Sequence, residues 1–155
     1  MRSAREGTPR ARDPLLLLDA NVLVYAVNTA AAEHEDAGAF LLEALDGTEA
    51  VGFPWIITLA FLRVTTHPRI LRRPLSAADA GDVLRRWLDS PAAVIPEPTR
   101  QHVGLLLGLL IRAGGRGNPV NDTHLAALAL EHDATVVTYD RDFERYDGVR
   151  LRRPG

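Results

Sequence analysis

The hydrophobic pattern alternates between short continuous apolar runs and longer stretches with helical spacing. The first run, LLLL at 15–18, passes directly into Asp19, then Ala20, Asn21 and further apolar sequence to Tyr25. A continuous apolar run with a polar residue at its carboxyl end is the pattern of a central parallel strand, buried on both faces. Residues 29–45 follow with Ala37, Phe40, Leu41 and Ala44 at helical spacing and Gly47 as a stop, which predicts a helix. AVGF at 50–53 predicts a short strand ended by Pro54. The largely apolar stretch 55–66 predicts a helix broken at His67-Pro68, and 69–74 a basic loop.

Ser76 and Asp79 have the spacing of a capping box, with Asp in place of Glu, and open a helix carrying Val83, Leu84, Trp87 and Leu88. A third strand is predicted at 93–95. Thr99 is placed to cap a helix over 102–113 that is apolar on nearly every face, which calls for burial on more than one side, in the core or in a subunit interface. A Gly-rich loop, 114–119, leads to Asn121, Asp122 and Thr123 and a helix over 124–132. The β-branched run TVVT at 135–138 predicts a strand, and a brief last strand falls near 149–151. Strands alternating with helices predict an α/β fold, a three-layer α/β/α sandwich with a mainly parallel sheet. One domain over 15–155 is expected, after a lead-in over 1–14 rich in charge, Gly and Pro.

Composition narrows the chemistry. The 155 residues contain no cysteine, so disulfide scaffolds and thiolate zinc sites are excluded and a reducing cytoplasm is expected. No stretch approaches the roughly 18 apolar residues of a membrane span. All 18 basic residues are Arg. Haloacid dehalogenase-type phosphotransferases and phosphate-accepting receiver domains also place Asp at strand ends, but both need a lysine, and this chain has none.

The acids are the candidate chemistry. Asp19 and Asp140 each follow a predicted buried strand, Asp142 lies two residues further on, and Asp122 opens a helix. Strand-end acids of a parallel sheet converge on one edge, where they repel and raise one another's pKa. A divalent cation relieves that repulsion, and an all-oxygen donor set suits Mg²⁺ or Mn²⁺, metals that bind phosphate and activate water. Each acid also has a plain structural reading: Asp19 and Asp122 as helix caps, Asp142 as the start of a turn. Setting these four acids aside turns the formal net charge of −2 into +2. An acidic pit in an otherwise basic chain fits a phosphodiester substrate gripped by Arg.

Four segments carry a resemblance: Asp19 and Asn21 within LDANVLVY, FLRVTTHPRI at 61–70, DTHLAALA from Asp122, and TYDRDF from Thr138 to Phe143. In this order they resemble the motifs of PIN-domain ribonucleases, and most closely VapC-type toxins of bacterial toxin–antitoxin pairs, over nearly all of 15–151. The resemblance implies an α/β/α endoribonuclease that depends on Mg²⁺ or Mn²⁺, cuts RNA, is commonly a homodimer and is silenced by a cognate antitoxin. It implies Asp19, Asp122 and Asp140 as catalytic and metal-binding acids, Asp142 as an auxiliary ligand, and Asn21 and Thr138 as supporting residues. Arg63, Arg69, Arg72 and Arg73 are candidate RNA contacts. One departure stands out: many members carry Glu just before the Phe-Leu-Arg, where this chain has Ala60. The alternative is therefore a weakened PIN-fold protein that acts by binding RNA or a partner protein. His34, His102, His124 and His132 are read as surface or packing residues. His67 is read as a helix-ending turn or a neighbour of the RNA path, and Trp55 and Trp87 as core.

Overall fold

The computed structural model describes residues 14–114 and 119–155. The expected lead-in, apart from Pro14, and most of the Gly-rich loop lie outside the described residues. Five strands, β1 (Leu15–Leu18), β2 (Ala50–Gly52), β3 (Ala93–Val94), β4 (Thr135–Val137) and β5 (Arg150–Arg152), form one sheet in the order β3-β2-β1-β4-β5. Every pairing is parallel. Six helices flank it: α1 (Ala20–Val27), α2 (His34–Asp46), α3 (Trp55–Thr65), α4 (Ala77–Leu88), α5 (His102–Arg112) and α6 (Val120–Glu131). None is long and apolar enough to cross a membrane.

β1 is central because its side chains tolerate no water. Leu16, Leu17 and Leu18 are at most 3% exposed, and Val51, Val136 and Val137 on the neighbouring strands are fully buried. β2 lies close against β1, since a Cβ on Gly52 would meet the Leu17 side chain at 2.6 Å. Phe53 and Phe61 close on Trp87, with centroids at 6.5 and 5.3 Å, and tie the end of β2 and α3 to α4.

Several expectations change. The sequence after Asp19 forms α1, a helix in its own right, because the Asp19 carboxylate accepts the Ala20 N–H at 2.7 Å and starts it. The predicted helix over 29–45 begins later, at His34, after a turn in which Asn28 accepts the Ala30 N–H. Ser76 caps α4 through the Asp79 N–H, but the Asp79 carboxylate accepts from the Ser76 hydroxyl rather than reaching back to its N–H. Thr99 does not cap α5; its hydroxyl accepts the Gln101 N–H and donates to Glu131. Only His102 and Leu109 of α5 are buried, while Val103, Leu107 and Ile111 stand exposed along one stripe. Trp55, expected in the core, is 53% exposed, because it sits at the first position of α3 with its indole outside the sheet.

Candidate active site

The order in which strands are laid down reverses at β1: β2 and β3 extend to one side, β4 and β5 to the other. The crevice at the carboxyl ends of β1 and β4 is therefore a topological switch point, where open α/β sheets bind ligands. Leu18 pairs with Val137, so the next residues out, Asp19 and Thr138, emerge side by side.

A polar network holds them. The Thr138 hydroxyl donates to Asp19 Oδ2 at 2.7 Å, and Asn21 Nδ2 donates to the same oxygen at 3.0 Å and to Thr138 Oγ1 at 3.1 Å. The Tyr139 N–H donates to Asn21 Oδ1, and the Asp140 N–H to Thr138 Oγ1. Asp140 in turn accepts the Asp142 N–H at 2.8 Å and caps a 3₁₀ turn, Arg141–Arg145. Asn21 and Thr138 thus fix the orientation of Asp19 and the path of the chain into Asp140.

Asp122 enters from the first turn of α6. It lines a cleft of about 290 Å³ together with Asp19, Ala60 and Arg63. Thr123 next to it is buried, donates to the Pro119 carbonyl at 2.7 Å and meets the Tyr146 hydroxyl at 2.8 Å. That contact pins the start of α6 to the end of the 3₁₀ turn. Burial pushes the Asp19 carboxyl above the usual range, opposed by the bonds from Thr138 and Ala20 and reinforced by the charge of Asp140. Asp122 is raised by its burial, then by the charges of Asp19 and Asp140, with Arg145 opposing.

Asp142 stands apart. Its carboxylate, 67% exposed, pairs with Arg145 at 3.1 Å on the rim. Among the described residues no three His, Asp or Glu side chains are gathered closely enough to ligate one ion directly. The donor set still suits a hard cation: the charge of Asp140 raises Asp19, the charges of Asp19 and Asp140 raise Asp122, and the cleft offers oxygen without thiolate or imidazole. Mg²⁺ keeps several of its waters and needs few direct carboxylates.

The four candidate arginines separate. Arg63 lines the acidic cleft, whereas Arg72 and Arg73 line a different concavity and Arg69 is exposed on the turn after α3. A larger concavity, about 520 Å³ and mostly apolar, lies away from the acids, between α2 and α4. Two features escaped sequence reasoning. Arg145 belongs to the acid cluster, and its spacing of three from Asp142 on a helical turn is the signal that finds it. His102 is buried, with Nδ1 donating to Glu131 Oε2 at 2.6 Å and Nε2 sharing a proton with His124 Nδ1 at 2.8 Å. Burial alone would raise Glu131, but bonds from Thr99 and His102 hold it below the usual range. Burial, then the neighbouring His102, pushes His124 down.

A PIN domain family model matches residues 16–149. Ribonuclease VapC37 of Mycobacterium tuberculosis is 45% identical over 138 residues, 89% of this chain and 96% of that protein. Ribonuclease VapC43 of the same species is 36% identical over 140 residues, 90% of this chain and 95% of its own. Among solved structures, VapBC2 from Rickettsia felis bound to a promoter DNA fragment superposes with a TM-score of 0.69 at 17% identity, covering 91% of this chain and 99% of that one. Mycobacterium tuberculosis VapC20, a toxin that cleaves the Sarcin-Ricin loop, gives 0.63 at 17% identity, covering 87% and 98%.

Proposed function

This chain belongs to the VapC ribonucleases of the PIN-domain family, and we propose that it hydrolyses RNA phosphodiester bonds with a hard divalent cation held by Asp19, Asp122 and Asp140. It is the toxin of a toxin–antitoxin pair, acts in the cytoplasm and is silenced by a cognate antitoxin protein. Mg²⁺, or Mn²⁺ in its place, supplies the charge that screens the carboxylates, lowers the pKa of a water and steadies the leaving oxygen.

The chain's own residues do the rest. Thr138 and Asn21 hold Asp19 with its charge facing the cleft, and the Asp142 N–H holds one oxygen of Asp140. Arg63, on the α3 wall of the same cleft, binds a backbone phosphate of the strand. Arg145 and its partner Asp142 lie near enough for their charges to act on Asp122, with Asp142 as an auxiliary acid. The exposed stripe of Val103, Leu107 and Ile111 on α5 is the surface for a second copy, giving a homodimer.

The observation that supports this reading is the buried Asp19 and half-buried Asp122 on one cleft with the charge of Asp140 near both, a repulsion that a cation relieves. Asp19→Asn removes charge and little volume. It abolishes metal-dependent cleavage of RNA while leaving the melting transition intact; wild-type cleavage by this variant, in a chelator-controlled assay, refutes the assignment. A second reading, a PIN-fold protein that binds RNA or a partner without cutting, draws support from Ala60, which lines the cleft where many relatives carry Glu. Binding without cleavage by the unsubstituted chain at saturating metal favours it.

A further inference from the structure

Arg72 and Arg73 line a concavity of about 410 Å³ with Asn28, Thr29 and Leu75. Asn28 is the C-cap of α1, the helix whose N-cap is Asp19. Eight helical residues at ~1.5 Å each put this concavity about 12 Å from the acidic cleft along α1. Between Thr66 and Leu75 the chain has Arg69, Arg72, Arg73 and His67 and no acid.

The turn that carries them is built. Leu71 is buried, the Ile70 and Leu71 N–H groups donate to the His67 carbonyl at 3.0 and 3.2 Å, and the Leu75 N–H donates to Thr65 at 2.8 Å. The Arg69 N–H donates to His67 Nδ1 at 3.1 Å. The plain explanation, that these guanidiniums cap the carbonyl end of α1, has no bonds behind it. The Val24 carbonyl takes the Asn28 N–H, that of Tyr25 meets His34 Nδ1, and that of Asn28 takes the Ala31 N–H. Among the described residues no acid pairs with Arg69, Arg72 or Arg73; unlike the other arginines without a carboxylate partner, these three share one short turn. Arg72 and Arg73 on the wall of the concavity and Arg69, exposed on the same turn, thus present three cations together.

We propose that Arg69, Arg72 and Arg73 form a second RNA-backbone site, separate from the cleft, so that one strand is held at two places. The proposal rests on the nuclease reading for its first site. Phosphate contacts position a strand without reading its bases, so this site selects RNA by reach and shape. A stacked trinucleotide, two steps of about 3.4 Å, cannot span the two sites, whereas a strand of about twelve nucleotides can.

The test measures RNA binding in the Asp19→Asn chain, which does not consume its ligand, with and without Arg→Gln at 69, 72 and 73. Fluorescence anisotropy is read with a twelve-nucleotide and a three-nucleotide RNA as salt rises from about 50 to 200 mM. Three contacts at ~0.7 each lower the salt slope by about 2, so over that range the parent loses roughly 20-fold more affinity for the long strand than the triple variant. Affinity for the trinucleotide stays within about twofold, and Arg→Lys at the three positions restores the slope, as phosphate contacts to point charges require. An unchanged slope on the long strand overturns the proposal, and so does an equal loss on the trinucleotide. Should the triple variant melt early, the single substitutions each remove about a third of the effect if the proposal holds, and none if it does not. If this behaviour is seen while the unsubstituted chain, with Asp19 in place and metal added, cleaves no RNA, the nuclease reading fails and the second site stands.

Discussion

Thr138→Val tests the network that holds Asp19, because valine keeps the shape and removes only the hydroxyl. The wild-type hydroxyl donates to the Asp19 carboxylate at 2.7 Å in a site where Asp19 is 9% exposed, and it accepts the Asp140 N–H at 3.0 Å. A hydrogen bond to a buried charged group contributes about 1.5–3 kcal/mol, against about 1 kcal/mol for a neutral one. Burial already raises Asp19 above its ordinary value of 3.8, and the Thr138 bond is the largest influence pulling it back. Losing that bond raises it further. An acid whose folded pKa lies above its unfolded one binds more protons when folded, so it lowers stability as pH rises from the unfolded pKa through the folded one. The variant's deficit is therefore smallest in acid and grows as pH rises through the raised folded value. Urea unfolding with chelator is expected to show a deficit of about 1 kcal/mol near pH 4 and about 2–3 kcal/mol at pH 7. At neutral pH that is a drop in melting temperature of roughly 4–12 °C. A deficit that is equal at both pH values, or larger in acid, refutes the idea that the hydroxyl serves the ionised carboxylate.

Ala60→Glu adds a carboxylate to the cleft wall facing Asp19 and Asp122. It is expected to lower the metal concentration for half-maximal cleavage and, in chelator, to lower the melting temperature by crowding like charges; a metal titration of both proteins that shows neither change means that residue 60 does not face the acids. Leu107→Glu, at the centre of the exposed α5 stripe, is expected to convert a dimer into monomers in sedimentation velocity. A wild-type chain that stays monomeric at high concentration removes the surface from consideration.

The parts legible in the sequence were those with local signals. LLLL before Asp19 reads as a buried strand because no other element so short is apolar at every position, and Ser76 marks the start of α4 by its capping chemistry. α1 escaped because its eight residues, three of them valine, have modest helix propensity; the Asp19 cap and packing on α2 and α3 sustain it. Trp55 misled because a tryptophan next to an apolar run is usually interior, yet its place at the first turn of α3 faces it outward. The His102–Glu131–His124 chain joins residues 22 to 29 positions apart on two helices, and no periodicity links them. The separation of Arg63 from Arg72 and Arg73 is likewise tertiary: it depends on where α1 ends, which a list of basic residues does not contain.

The pairing of β1 with β4 also sets a schedule. Asp19 and Thr138 touch across 119 positions of chain, so a ribosome that has made the first of them has most of the protein still to make. At about 5–20 residues per second, that interval lasts roughly 6–24 s. Until Asp122 is added the nascent chain carries one acid of the site, and to the end of the interval it has neither Thr138 nor Asp140. A toxin whose site needs both ends of its chain is thus without that site for nearly its whole synthesis, and an inhibitor that binds the finished fold needs to arrive only at the end.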